Sequence, residues 1–305
     1  MGSCKKDLLH WQKVQQLNSN TTSRLNHIQF LGSGICIIAG GVEFVQSEIV
    51  RSVDGGYNFT ASSDTNAPKE MFGMGLSANG NIYLSGVDGD VLHSVDSGKT
   101  WKFSRIDYLV YMGGSFSSPD TGIFVSSVLQ RQCTITRVDS NFNIIDEQTF
   151  LFGLNNVYVA SPTTIYIIGY GVAMKTINNG KTWNFLDLKG DNFSAMSVRG
   201  DEIWICGSEG GIYHSYDAGN SWETFRNGND FTLPRYNLRS IVFKDSQNGW
   251  AAGDNGIVLH SDDGGKHWEE YDHFTTANLR SIVLCPNGDL MTAGDGGALY
   301  RIVPQ

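Results

Sequence analysis

The segment Asn237-Leu238-Arg239-Ser240-Ile241-Val242 returns almost unchanged as Asn278-Leu279-Arg280-Ser281-Ile282-Val283, and each copy is followed by an acidic turn, Asp254-Asn255-Gly256 and Asp295-Gly296-Gly297. Two guanidiniums at matched places can hold a carboxylate, a C-terminus or a sugar acid through paired hydrogen bonds. The same residues admit a structural use, in which each arginine pairs with an acidic turn of its own or the neighbouring unit and stitches the fold together. Glu209 in Ser208-Glu209-Gly210 and Asp88 in Val87-Asp88-Gly89-Asp90 occupy matching turns, and Tyr236 ends the long polar stretch Asn227–Tyr236. A glycosidase must place two carboxylates about 5–10 Å apart, and Asp254 with Asp295, or Asp88 with Asp90, are the pairs open to that use. No Ser-His-Asp constellation and no metal-type Cys/His spacing can be read, so no catalytic residue, metal or cofactor is expected. His93, His214 and His260 recur at one position of a repeat, which marks a strand register and holds them too far apart for a zinc site.

The elements that position these residues are copies of one unit, clearest in Ser246–Tyr271. Ala251-Ala252-Gly253 ends an apolar run, Asp254-Asn255-Gly256 turns, and Ile257-Val258-Leu259-His260 runs back as a second strand. Ser261-Asp262-Asp263-Gly264-Gly265-Lys266-His267-Trp268 then makes a turn of the form Ser-x-Asp-x-Gly-x-x-Trp. Its acidic side chain can accept from backbone N–H groups, its glycine supplies positive φ, and its tryptophan covers the turn. Copies lie at Ser52–Phe59 around Asp54, Ser94–Trp101 around Asp96, Thr176–Trp183 around Asn178 and Ser215–Trp222 around Asp217, with a worn copy at Arg137–Phe142. Asp54, Asp96, Asn178, Asp217 and Asp263 are therefore read as structural, each used by its own turn.

A period of ~40 residues with several short strands per copy is the signature of propeller blades. The predicted fold is all-β, a seven-bladed β-propeller of four-stranded blades over residues 9–305, with 1–8 as an anchor stub or linker. Inner strands are predicted to begin near Leu25, Met71, Tyr108, Leu154, Phe193, Leu238 and Leu279. The last repeat stops after its third strand at Arg301, and His10–Leu17, around Trp11, resembles an outermost strand without a turn before it. Joining the two closes the ring and removes an open edge. The middle strands Ile82–Gly86, Ile165–Gly169, Ile203–Gly207 and Gly249–Gly253 carry their aromatics as core between blades. The turns holding Asp88, Glu209, Asp254 and Asp295 then gather on the face where the inner strands begin, as do the long crossings 61–69 and 227–236.

Among 305 residues there are 36 glycines and only 17% charged residues, as many tight turns require. A net charge of −9 counts against a nucleic-acid partner. No apolar run approaches the ~18 residues of a membrane span. Cys36, Cys133, Cys206 and Cys285 fall in or beside apolar runs and read as buried thiols. Cys4, in Met1-Gly2-Ser3-Cys4-Lys5-Lys6, resembles the acylated cysteine left by a bacterial lipoprotein signal peptide. N-myristoylation at Gly2 is the rival, disfavoured by Lys6 where Ser or Thr is wanted.

Asn248-Gly249-Trp250-Ala251-Ala252-Gly253-Asp254-Asn255-Gly256 followed by the Ser-x-Asp-x-Gly-x-x-Trp turn resembles the Asp-box (BNR) repeat propellers, and within them the photosystem II stability/assembly factor-like family. That resemblance runs over nearly the whole chain and implies a non-catalytic interaction or assembly-factor-like propeller. The expectation is an extracytoplasmic, membrane-anchored lipoprotein of a bacterium, attached through Cys4 and otherwise soluble. It is expected to be monomeric and to bind a protein or peptide on its funnel face through Arg239, Arg280, Asp254, Asp295, Glu209, Asp88 and Tyr236. The alternative is a glycan-binding or glycoside-hydrolase propeller of the sialidase or xyloglucanase type, although the Arg-Ile-Pro type opening motif of sialidases is not found here.

Overall fold

A computed structural model describes residues 8–32, 34–62, 67, 69–77, 79–127, 132–230 and 232–304. Cys4, and Ser63–Asn66 and Pro68 of the first long crossing, lie outside the described residues. The strands form seven four-stranded antiparallel sheets, arranged as the blades of one ring. Inner strands run Arg24–Leu31, Met71–Leu76, Tyr111–Ser118, Leu154–Val159, Phe193–Arg199, Leu238–Phe243 and Leu279–Leu284 for blades one to seven. Lys13–Gln16 pairs with Leu299–Val303 in register Lys13↔Val303 to Gln16↔Tyr300, completing blade seven and closing the ring as expected.

One predicted start is corrected. Blade three begins its inner strand at Tyr111 rather than Tyr108, because Asp107 and Leu109 are spent in the crossing. The Asp107 carboxylate accepts from the Leu109 N–H at 2.7 Å, and the Leu109 carbonyl accepts from Gly89 at 2.6 Å. Tyr108 is left 78% exposed.

Seven apolar clusters fill the seven spaces between blades. The middle-strand aromatics are core, as read from the sequence: Trp204 is fully buried, stacks on Phe243 of the next blade at 3.9 Å, and donates to the Gly264 carbonyl at 2.8 Å. Tyr166 donates to Ala218 of the next blade's turn at 3.0 Å. Each acidic turn therefore seats on the preceding blade's middle strand, which ties the local turn to the order of blades. In blade three the worn copy keeps this role, since Phe142 at φ 64° packs among Tyr83, Phe116 and Phe124.

The turns are held by short-range side-chain bonds. In blade two, Oδ1 of Asp96 accepts from Lys99 and Thr100 N–H groups at 3.1 and 2.9 Å, while Ser94 donates to it at 2.8 Å. These bonds, led by those from Thr100, hold the Asp96 carboxyl down at about 2. Asp217 is held at about 2 by Ser221 in the same way. Asn178 takes the same place in blade four, accepting from the Thr182 N–H at 3.0 Å and donating to its hydroxyl at 2.8 Å.

A candidate binding site at the mouth of the central channel

Every inner strand begins with one residue too many. The pairing of blade six passes from Leu238↔Gly253 to Ser240↔Ala252, leaving Arg239 unopposed, and blade seven does the same around Arg280. The other five blades repeat it at Asn26, Phe72, Met112, Asn155 and Ser194. A bulge re-aims its extra side chain, and here all seven line the central channel, a cavity of ≈ 540 Å³. The residue before each is fully buried, so the apolar anchor holds the strand while its successor faces the channel. In six of the seven blades a glycine stands opposite the residue that precedes the bulge, Ser126 taking that place opposite Tyr111 in blade three. A Cβ on Gly253 would stand 2.1 Å from the Asn237 carbonyl oxygen, and on Gly294 2.1 Å from that of Asn278.

The seven positions make an uneven ring. Blades two and three present Phe72 and Met112, with Met74 deeper in the channel. Asn26 and Asn155 are drawn sideways onto the next blade: Asn26 donates to the Met71 carbonyl at 2.9 Å and Asn155 to that of Phe193 at 2.7 Å. Arg239 and Arg280 turn back onto the acidic turn of their own blade. The Arg239 guanidinium takes both oxygens of Asp254, with Nη2 to Oδ2 at 3.0 Å, and Asn237 supports the same oxygen at 3.0 Å. Arg280 and Asn278 repeat this on Asp295, with Nη2 to Oδ2 at 3.3 Å and Asn278 at 2.9 Å. Burial pushes the Asp295 carboxyl up, but the bonds from Arg280 and Asn278 outweigh it and hold it below the usual range.

Both arginines are thus paired within their own blades, the structural use foreseen beside the functional one. These pairs are partly open to solvent, with Arg239 35% and Asp254 18% exposed, and Arg280 21% and Asp295 32%. An ion pair open to solvent contributes about 0–1 kcal/mol, so an incoming carboxylate or amide can compete for either partner. Arg24 joins the mouth from blade one, lying between Asp295 at 3.5 Å and Glu70 at 3.2 Å. Glu70 is fully buried, and that burial raises its carboxyl against the bonds from Asn26 and Arg24. Further down, burial lowers the His27 imidazole, a backbone contact at Phe72 opposes this, and the Arg280 charge adds to the lowering.

The remaining expected site residues are more dispersed. Asp88 pairs with Lys69 and Glu209 with Arg235 at 3.2 Å, both on the funnel face. Tyr236 is half-buried outside the channel lining, donates to Glu270, and lies under the Arg226 guanidinium at 5.2 Å. Arg24, Asn26, Phe72, Met112, Asn155 and Ser194 were missed from sequence. For all but Arg24, which precedes the buried Leu25, the signal was the phase of the repeat, one residue after each buried start, hidden because their chemistry differs from blade to blade.

The family profile described as photosynthesis system II assembly factor YCF48 matches residues 141–234 and 229–303, together more than half of the chain. The chain belongs to this family. A solved structure of YCF48 bound to D1 peptide is 17% identical over 98% of both chains, with a TM-score of 0.71. YCF48 from Cyanidioschyzon merolae is 18% identical, with a TM-score of 0.69 over 95% of this chain and 98% of that one. The propeller is shared beyond the family: a streptogramin B lyase reaches a TM-score of 0.76 at 10% identity, covering 96% of this chain and 98% of its own. At such identities the likeness shows the fold alone. No curated protein sequence matches.

Proposed function

We propose that this family member is a non-catalytic interaction propeller that binds an extended segment of another protein across the mouth of its central channel. The observation that carries the reading is the ring of seven bulged residues, apolar at Phe72 and Met112 and charged at Arg239 and Arg280, around a ≈ 540 Å³ cavity. Such a mouth offers apolar contacts on one side and exchangeable ion pairs on the other, which suits a peptide carrying both kinds of group. The family's YCF48 bound to D1 peptide supports a peptide as the ligand class.

The test is photo-crosslinking in cells with a benzophenone amino acid at Phe72, compared with one at Thr100 on the opposite rim. A discrete partner captured from Phe72 and lost when Arg239 and Arg280 are both glutamine supports the reading. Equal capture from the two faces sinks it. We also propose an extracytoplasmic location through acylation at Cys4, supported by the Gly-Ser-Cys-Lys-Lys sequence. Labelling with a clickable fatty acid that persists in Cys4→Ser would refute the anchor.

A further inference from the structure

Outer strands are the exposed edges of a propeller, and this chain keeps nearly all of them short. They run Lys13–Gln16, Thr60–Ser62, Lys102–Arg105, Asn184–Phe185, Glu223–Arg226 and Glu269–Glu270, between two and four residues each. Shortness is one of the ways proteins prevent an edge from recruiting another strand. Blade three is the exception: its outer strand Ile144–Phe150 has seven residues and pairs with Cys133–Val138 without a break from Cys133↔Phe150 to Arg137↔Asp146. It contains no proline and no lysine. Among the described residues its outer edge pairs with no other strand. In an antiparallel ladder alternate residues direct their backbone groups inward, so a strand of this length leaves about three residues with N–H and C=O groups aimed at solvent.

The protein itself pairs one added residue onto an outer edge. Leu9 forms a bridge with Tyr271 beyond the outer strand of blade six, donating to the Glu270 carbonyl at 2.9 Å and accepting from Asp272 at 2.9 Å.

We infer that Ile144–Phe150 is a docking edge for an extended partner segment with a basic residue at its centre and β-branched apolar residues on either side. Asp146 and Gln148 face blade four, bonded to Arg137 and to the Gly180 carbonyl at 2.9 Å. The alternate residues Ile145, Glu147 and Thr149 form the other face and are exposed. Leu151, 88% exposed, extends the apolar surface at the strand's end. A strand laid on this edge places one side chain opposite Glu147, where a lysine or arginine completes a cross-strand pair, and others opposite Ile145 and Thr149. A second copy of this protein fits poorly, because a two-fold pairing centred on Glu147 sets carboxylate against carboxylate. This surface is separate from the channel mouth, so it stands or falls independently of the function proposed above.

The probe is a fluorescent peptide, acetyl-Thr-Val-Thr-Lys-Thr-Val-Thr-amide, titrated by anisotropy against the full-length protein, with hydrogen exchange read on the outer strands. Binding is expected to protect amides of residues 144–150, to be lost when alternate peptide amides are N-methylated, and to weaken about fivefold to tenfold in Glu147→Lys. The sister peptide with Glu in place of Lys should show the reverse preference, and thermal melting should confirm that Glu147→Lys remains folded. Undiminished binding by the N-methylated peptide, or protection elsewhere than blade three, overturns the proposal. So does a self-associated dimer in sedimentation that the peptide disperses, since that makes a second copy the occupant.

Discussion

The two faces of the ring use aspartate in opposite ways. On the rim of the acidic turns, Asp96 and Asp217 are satisfied by N–H and hydroxyl groups within four residues of themselves. At the channel mouth, Asp254 and Asp295 are satisfied by guanidinium and amide side chains from the strand that starts the blade. Backbone donors are fixed by the turn and have nowhere else to go, whereas a partly exposed arginine side chain can swing toward a ligand. The carboxylates most frequent in the repeat are therefore the least available for function, and the lesson separates the two faces more sharply than charge does.

The largest expected effect comes from removing the bulge that builds the mouth. Gly253→Ala pushes a methyl group into the Asn237 carbonyl and should cost roughly 3–4 kcal/mol in denaturant unfolding, with loss of capture from Phe72. An alanine variant of near wild-type stability would show that the bulge is not dictated by that close approach.

The next effect is a pH dependence carried by blade five. His214 is buried against Trp204 at 4.5 Å, and burial, aided by the charge of Lys266, lowers its imidazole from 6.5 to about 4. Between those values the unfolded protein binds a proton that the folded one refuses. Stability is accordingly complete above pH 6.5 and falls toward pH 4, by up to about 3 kcal/mol. The rim carboxylates behave later, because groups held at about 2 against an ordinary 3.8 keep their contribution until the pH drops below about 4. Denaturant midpoints at pH 7, 5.5 and 4.5 check this: His214→Phe should reduce the loss between 7 and 4.5, the remainder coming from His27, His93 and His260, whose imidazoles burial also lowers, and an unchanged slope would exclude His214 as a source.

A smaller effect distinguishes the rim from the mouth directly. Asp263 accepts from the His267 N–H at 3.0 Å and from Ser261 at 2.9 Å, so Asp263→Ala should destabilise by about 1–2 kcal/mol. Asp263→Asn should cost less, as Asn178 does the same work in blade four, and neither should alter partner capture. The smallest stability change is expected for Arg239→Gln with Arg280→Gln, under about 1 kcal/mol, yet this pair should abolish capture. Should the double variant unfold instead, the mouth is a stitch and the comparison collapses.

Much of this was legible beforehand. The Ser-x-Asp-x-Gly-x-x-Trp turns, their spacing, the missing last strand and the spare first one state a closed seven-bladed ring, because turn chemistry and strand alternation are local. The starts at Met71, Leu154, Phe193, Leu238 and Leu279 were readable because a buried apolar residue marks each. Tyr108 misled because an aromatic in a crossing looks like an aromatic in a strand until its partners are known.

From its order of residues alone, then, the protein determined the blade, the number of blades and the fate of the rim aspartates, since each depends on groups a few positions apart. Only the folded ring decided that seven unlike residues share one channel mouth, that Arg239 and Arg280 bend back on their own blades, and that blade three's long outer edge pairs with no other strand among the described residues. Those facts arise from contacts between segments tens to hundreds of residues apart, where the bulge register and the closure of the ring, rather than any local pattern, choose which side chains meet.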